Sequence, residues 1–195
     1  YYYWGSEVID ICRRDPRVIC VRGNHEDYLQ RALVDKSFLE QISAKYGSGL
    51  RHTLETISHD QLSWLNSLPR EFEKTYDGVS FFMRHAPDKC EMEYLYPDCS
   101  LEQIEYCNTK HDFTIFGHTH HPFMHFGQQT QIINPGSVGQ PRDYGSLASY
   151  AVVNTKNNVV VFRRVPFKTK KLVQAVKSRD PKISKIWEVF RREYI

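Results

Sequence analysis

The sequence lacks three features that would assign it to a specialised class of protein. It has no run of 18 or more apolar residues, so no membrane-spanning helix is expected. Its five cysteines are an odd number and include no Cys-X-X-Cys pair, which disfavours a disulfide framework and favours a reduced, cytoplasmic protein. Its net charge of +3 is too small to indicate nucleic-acid binding. Neither a membrane nor a nucleic acid is therefore an expected partner.

Polar segments containing histidine follow three β-prone apolar runs. Residues 18–21 lead into Arg22-Gly23-Asn24-His25-Glu26, residues 79–83 into Arg84-His85-Ala86-Pro87, and residues 113–116 into Gly117-His118-Thr119-His120. In α/β proteins, sites form outside the carboxyl ends of strands. Imidazole nitrogens are common ligands of transition metals. The pattern therefore predicts a metal-dependent active site at the ends of three strands.

Together these segments resemble the calcineurin-like metallophosphoesterase superfamily, and in particular its small bacterial and archaeal phosphodiesterases. The likeness is carried, in this order, by Gly23-Asn24-His25-Glu26, His85, Gly117-His118-Thr119-His120 and the run Asn-Pro-Gly-Ser-Val-Gly-Gln-Pro-Arg at 134–142. The order of the segments is far more specific than any one of them. The likeness covers roughly the first 165 residues of the chain.

The resemblance implies a site with two divalent transition-metal ions, manganese being preferred over iron, zinc, nickel or cobalt. It assigns Asn24, His85 and His118 to one ion and His120 to the other. It places His25 at the substrate phosphate as charge stabiliser and general acid, with Glu26 accepting the other ring N–H of His25. The expected reaction is hydrolysis of a phosphodiester or phosphomonoester by a metal-bridging water, on a small phosphorylated substrate.

Two elements of the family do not occur in the sequence: an Asp-X-His after the first strand and a Gly-Asp after the second. Because the chain does not begin with Met, we expect an N-terminal strand–helix–strand unit, which takes about 30 residues or more, to be missing. That unit would supply the bridging carboxylate. The alternative function is a non-catalytic protein-interaction scaffold on the same fold, with an incomplete metal site.

Structural roles remain open for some of these residues. Asn24 could cap the following helix rather than bind a metal. His85 stands in Arg-His-Ala-Pro, where the family usually has His-Gly. Arg142 could contact the substrate or pair with Asp143. The start of its run, Asn134-Pro135-Gly136-Ser137, is typical of a turn and is expected to support the floor of the site.

The periodicity of apolar residues predicts an α/β fold. Helical spacing occurs over 6–14 and repeatedly over 27–68, and Asp77-Gly78 predicts a tight hairpin between two strands. Further β-prone runs follow between 113 and 165. The family fold implied by the resemblance is a sandwich of two mixed β-sheets flanked by helices.

We predict a metallophosphoesterase domain at 1–167 and a basic helical tail at 168–195. The tail has apolar residues at helical intervals, including Trp187 and Phe190. These residues either pack on the domain or form an interface through which the protein assembles as a homo-oligomer. The pattern does not decide between the two.

Overall fold

The structure is a computed structural model that describes residues 2–88 and 94–193, and these form two compact units. The helical unit comprises residues 2–69 and Lys170–Glu188. The sheet unit comprises the described residues of Arg70–Thr169 and residues 189–193. The division of the chain at residue 168 remains a prediction. None of the helices in the described part of the chain is long and apolar enough to cross a bilayer.

Apart from the segment 18–21, the secondary structure follows the order expected from the sequence. The helices are α1 (Gly5–Arg14), α2 (Asn24–Val34), α3 (Lys36–Tyr46), α4 (Gly49–Thr56), α5 (His59–Ser67), α6 (Leu101–Tyr106), α7 (Lys170–Arg179) and α8 (Lys185–Glu188), followed by a 3-10 turn at Val189–Arg191. The strands are β1 (Glu71–Tyr76), β2 (Val79–Arg84), β3 (Phe113–Ile115), β4 (Phe123–Phe126), β5 (Gln131–Asn134), β6 (Leu147–Asn154) and β7 (Val159–Pro166).

The helical unit is built from short helices that begin and end at clear local signals. Ser58 caps α5 by accepting from Gln61 N–H at 3.2 Å, and the Gln61 side chain returns a bond to Ser58 N–H, which completes a capping box. Gly47 ends α3 with φ of +87°, a conformation that favours glycine. The apolar stripes of α1, α2 and α5 meet at Ile9, Leu29 and Leu65.

The carboxy-terminal helices α7 and α8 pack in the same unit, against the start of the chain. Val176 is fully buried and forms a cluster with Tyr3 and Ile186. Between the two helices, the Asp180 carboxylate accepts hydrogen bonds from Ser48 N–H, Ser48 Oγ and Tyr3 Oη. Burial and this carboxylate raise the pKa of Tyr3, so its hydroxyl stays a donor.

The sheet unit contains a mixed five-stranded sheet with the order β1-β2-β3-β5-β4. The predicted Asp77-Gly78 hairpin is confirmed: both residues have positive φ, 51° and 83°, as a two-residue type I′ turn requires. Strand β3 pairs in parallel with β2 on one side and β5 on the other. The carboxyl ends of these three strands therefore lie at one edge of the sheet.

The second sheet is the antiparallel pair β6–β7. Its inner residues, among them Ala151 and Phe162, pack with Phe113 and Ile133 of the five-stranded sheet. The predicted α/β class with two sheets is thus confirmed. In the described residues, however, the second sheet is antiparallel rather than mixed, because its two strands are joined by a tight turn around Asn157 and Asn158.

The prediction of a strand at 18–21 is wrong for the structure. A strand needs a hydrogen-bonded neighbour, and no residue in 2–88 or 94–193 pairs with this segment. Its ends are held otherwise: Val18 N–H donates to Asp15 O at 3.0 Å, and Arg22 N–H donates to Pro69 O at 2.7 Å. Val18 and Ile19 are about 40% exposed rather than buried, at 42% and 38%.

Candidate functional site

The Gly-His-Thr-His loop leaves β3 in an unusual backbone conformation. Both His118 and His120 have φ of 63°, in the left-handed region that residues other than glycine seldom adopt. Thr119, between them, is 1% exposed, and its N–H donates to Gly117 O at 2.7 Å. Strain of this kind persists only where surrounding contacts hold it, and it concentrates at functional sites.

Asn134, the last residue of β5, holds this loop in place. Its side chain is fully buried and donates to Gly117 O at 2.6 Å and to Thr119 Oγ1 at 3.0 Å. These two bonds link the loop to the start of the 134–142 run, and within that run Asn134 Oδ1 accepts a third bond from Gly136 N–H at 2.9 Å. Thr119 Oγ1 in turn donates to Leu95 O at 2.9 Å. The predicted role of this run as structural support fits these contacts.

His85 and His118 meet at the sheet edge because β2 and β3 are parallel neighbours. Met83 pairs with Ile115, so both chains leave the sheet at the same level. His85 Nε2 and His118 Nδ1 are 3.0 Å apart, and the ring centroids are 4.9 Å apart. Two predicted ligands of one metal ion thus lie side by side.

His120 is held by the backbone of the 134–142 run. Its Nδ1 lies 2.9 Å from Gln140 O, so the proton sits on Nδ1 and the lone pair on Nε2. Burial and the positive charge of Arg142 lower the pKa of His120 to about 4, and His85 and His118 contribute in the same direction. At neutral pH the ring is uncharged, which is the form that binds metals.

The histidine geometry fits part of a metal site. Two nitrogens that each lie about 2.1 Å from one ion come within about 3 Å of each other at neighbouring positions, which matches the His85–His118 separation of 3.0 Å. Within the described residues, however, no group of three or more His, Cys, Asp or Glu side chains is placed to hold a metal ion. The described donors therefore form a partial set.

Asn24, His25 and Glu26 form the first turn of α2 in the helical unit. The Glu26 carboxylate accepts from Gly23 N–H at 2.8 Å, which is one half of a capping box, since glycine has no side chain to supply the other half. Burial raises the pKa of Glu26. The hydrogen bond from Gly23 N–H and the positive charge of Arg22 act in the opposite direction and lower it. The His25 ring lies 5.4 Å from Tyr28 and 6.4 Å from Tyr46. The predicted bond from His25 to Glu26 stays a prediction.

Two aromatic residues beside the histidines were not predicted. The Tyr94 ring lies 4.7 Å from the His118 ring, and the Tyr96 ring lies 5.6 Å from the His121 ring. The alternation Tyr94-Leu95-Tyr96 is a signal that could have placed both tyrosines on one side of the chain. The sequence left open whether Arg142 pairs with its neighbour Asp143. In the structure, the Asp143 carboxylate accepts a hydrogen bond from Arg164, which is 21 residues away.

A protein-family model described as "calcineurin-like phosphoesterase superfamily domain" matches residues 5–158. The chain belongs to the calcineurin-like phosphoesterase superfamily. The chain is 34% identical, over 90% of its length and 76% of the relative's, to the uncharacterized protein MJ0912 of Methanocaldococcus jannaschii.

Solved structures of relatives show the same fold. A hypothetical protein from Pyrococcus horikoshii OT3 superposes with a TM-score of 0.75 at 16% identity, covering 94% of this chain and 76% of that one. A metallophosphoesterase from Sphaerobacter thermophilus superposes with a TM-score of 0.69 at 23% identity, covering 95% and 81%. At these identities the structures support the calcineurin-like phosphoesterase fold. The reaction has to be inferred from the residues of the candidate site.

Proposed function

We propose that the protein is a dinuclear metal-dependent phosphoesterase that hydrolyses a phosphodiester or phosphomonoester of a small metabolite. The observation that carries this proposal is the Gly-His-Thr-His loop: a chain of this superfamily strains two histidines into the left-handed region and brings one of them within 3.0 Å of a third. A purely structural loop gains nothing from that strain, because glycine would adopt it without cost. The same proposal includes a cytoplasmic location and assembly as a homo-oligomer. It also includes a complete sandwich of two β-sheets as the fold.

In the proposed site, His85, His118 and Asn24 would hold one ion and His120 the other. When bound, such a pair supplies Lewis acidity that neutralises phosphoryl charge and makes water more acidic. The neutral state of His120 favours this role, because its lone pair on Nε2 is available at neutral pH. Asn134 keeps the loop in shape and does not touch the reacting atoms.

His25 has a separate proposed role. It stabilises negative charge on the phosphate and donates a proton to the leaving oxygen. The first turn of α2 suits this task, because backbone N–H groups at a helix N-terminus favour an anion nearby.

A second candidate function is a protein-interaction scaffold on the same fold. The observation that favours it is the direct contact of His85 Nε2 with His118 Nδ1, since a hydrogen bond at 3.0 Å engages one nitrogen of each ring without a metal. In that case the loop would serve as a rigid surface feature rather than as a donor set.

Metal content and hydrolysis separate the two candidates. We would measure bound metal by elemental mass spectrometry and Mn-dependent hydrolysis of bis-p-nitrophenyl phosphate, for the wild type, His118→Ala and His120→Ala. The matched control is His59→Ala, whose side chain is 95% exposed. We expect about two metal equivalents and turnover in the wild type and control, and a loss of both in the site variants. A folded wild type with neither metal nor turnover would overturn the enzyme proposal.

A further inference from the structure

Two free cysteines, Cys12 and Cys20, are in contact within the helical unit. Cys12 lies in the last turn of α1, and Cys20 lies in the segment 18–21 that precedes α2. Their side chains are hydrogen-bonded to each other, and both residues are partly exposed. The two thiols are therefore next to each other and within reach of small molecules in solution.

A tight turn after α1 brings the two cysteines together. Val18 N–H donates to Asp15 O at 3.0 Å, so the chain reverses direction at the end of the helix and the segment 18–21 runs back beside it. Cys12 precedes Asp15 by three residues of a helix that rises about 1.5 Å per residue. Cys20 follows Val18 by two residues of a chain that extends at most about 3.6 Å per residue. Both cysteines therefore lie within about 7 Å of the turn.

The segment that carries Cys20 leads directly into the first turn of α2, which contains Asn24 and His25. No strand in the described part of the chain pairs with this segment. At its far end, Arg22 N–H donates to Pro69 O at 2.7 Å. A covalent bond at Cys20 would therefore fasten a segment that neither sheet holds.

We propose that Cys12 and Cys20 form a redox-modification site, at which a low-molecular-weight disulfide of the class of oxidised glutathione converts the two thiols into an intramolecular disulfide. The first thiolate attacks the oxidant, forms a mixed disulfide and releases one glutathione thiolate. The second thiolate attacks the protein sulfur of the mixed disulfide and releases the other. The cysteines lose two protons and two electrons, and the oxidant takes up both to give two glutathione thiols. The site does not depend on the proposed phosphoesterase function.

The surroundings of the two thiols set the order in which they react. Burial and the adjoining Cys12 raise the pKa of Cys20 to about 11, and the Glu26 carboxylate contributes in the same direction. At neutral pH the Cys20 thiol is therefore almost wholly protonated, and a protonated thiol is a poor nucleophile. We expect Cys12 to form the mixed disulfide. Once Cys12 is bound in this way, its charge no longer opposes ionisation of Cys20, which then completes the bond.

Oxidation of the wild type tests the site directly. We would incubate the full chain near neutral pH with oxidised glutathione, block the remaining thiols by alkylation, digest with trypsin and identify linked peptides by mass spectrometry. Cleavage at the arginines leaves Cys20 as the only cysteine of the peptide 18–22. We expect this peptide to be linked to the one that contains Cys12 and ends at Arg13. Absence of this link, or separate glutathione adducts on both cysteines, would overturn the inference without any variant.

Variants then test the order of reaction. Cys20→Ser should stop at a mixed disulfide on Cys12, and Cys12→Ser should form its adduct on Cys20 about tenfold more slowly. The matched control is Cys99→Ser, at a partly exposed cysteine of the sheet unit, and it should retain the link between Cys12 and Cys20. Equal rates of adduct formation in the first two variants would contradict the assignment of Cys12 as the first nucleophile.

The disulfide should also stabilise the native fold. Because the bond closes a short loop in the unfolded chain, we expect the Tm of the oxidised wild type to exceed that of the reduced protein by about 5 °C. Cys20→Ser, treated in the same way, should show no such rise. An unchanged or lower Tm in the oxidised wild type would mean that the bond does not fit the native geometry, and the site would have to be abandoned.

Discussion

The two units hold their candidate site residues by different kinds of contact. In the sheet unit, the loop with His118 and His120 is bonded to distant segments through Asn134, Gln140 and Leu95. In the helical unit, Asn24 and His25 lie in the first turn of α2, where the Glu26 cap is a contact three residues away. The first arrangement maintains strain at defined positions, and the second needs none.

This difference shows which part of the candidate site depends on tertiary contacts. A left-handed conformation costs a non-glycine residue about 1–2 kcal/mol, and the loop contains two such residues. Buried hydrogen bonds can offset a cost of that size. A helix N-terminus is favourable by itself, so the α2 residues depend less on the rest of the fold.

The largest effect should come from removing the clamp on the loop. Asn134→Ala leaves Gly117 O and Thr119 Oγ1 without their buried donor, and we expect a loss of about 3 kcal/mol in the free energy of unfolding. Urea denaturation measures this loss. The control is Asn154→Ala, since Asn154 is exposed and its side chain accepts from the nearby Lys156 N–H. If the loss in the free energy of unfolding is no larger than that of the control, Asn134 does not stabilise the loop, and the two units do not differ in the way described.

Acid should weaken the sheet unit through His120. Its pKa is about 4 in the fold against 6.5 in an unfolded chain, so the unfolded state binds more protons between these values. Stability should therefore fall as the pH is lowered from 6.5 through 4, by up to about 3 kcal/mol. We would compare wild type with His120→Gln in EDTA by urea denaturation across this range. Parallel curves for the two proteins would contradict the prediction.

A smaller effect should follow from the long-range link of the helical unit. Asp180→Ala removes the acceptor shared by Ser48 and Tyr3, and we expect a loss of about 2 kcal/mol. Thermal or urea unfolding gives the value. Asp60→Ala is the control, because the Asp60 side chain is 86% exposed. If both variants unfold alike, the Asp180 hydrogen bonds do not stabilise the helical unit.

Local features of the fold were predictable from the sequence. Ser58 with Gln61 is a capping box by spacing alone, and Asp77-Gly78 specifies a two-residue hairpin, since both contacts span three residues or fewer. The segment 18–21 shows the limit of that approach. Its apolar, β-prone residues predicted a strand, but strand formation depends on a neighbour that propensity does not supply.

The proximity of two candidate site histidines was predictable from the sequence, and the backbone conformation of their loop was not. The histidines stood in recognisable motifs, and the parallel pairing of β2 and β3 brings His85 to His118 as expected for strand ends. The positive φ values of His118 and His120 could not be predicted from the sequence, because local backbone preference disfavours them. The hydrogen bonds that offset their cost come from Asn134 on another strand. Tyr94 was missed for the same reason: its contact with His118 depends on how the chain folds back.

The smallest expected effect separates capping from catalysis at Glu26. Glu26→Ala should lose about 1 kcal/mol of stability, because Gly23 N–H loses its acceptor. Glu26→Gln keeps an acceptor, as Gln61 does in α5, and should restore stability to within about 0.5 kcal/mol. If Glu26 also orients His25, kcat of Glu26→Gln should still fall about tenfold.

The control for this last prediction is the equivalent cap of the sheet unit, where Gln103 of α6 bonds Ser100 N–H at 3.0 Å. Gln103→Ala should lower stability by a comparable amount and leave kcat unchanged, since that cap lies in a helix without site residues. If Glu26→Gln retains the wild-type kcat, the role of Glu26 is limited to capping α2. In that case the first turn of α2 would place His25 by helix geometry, and not through Glu26.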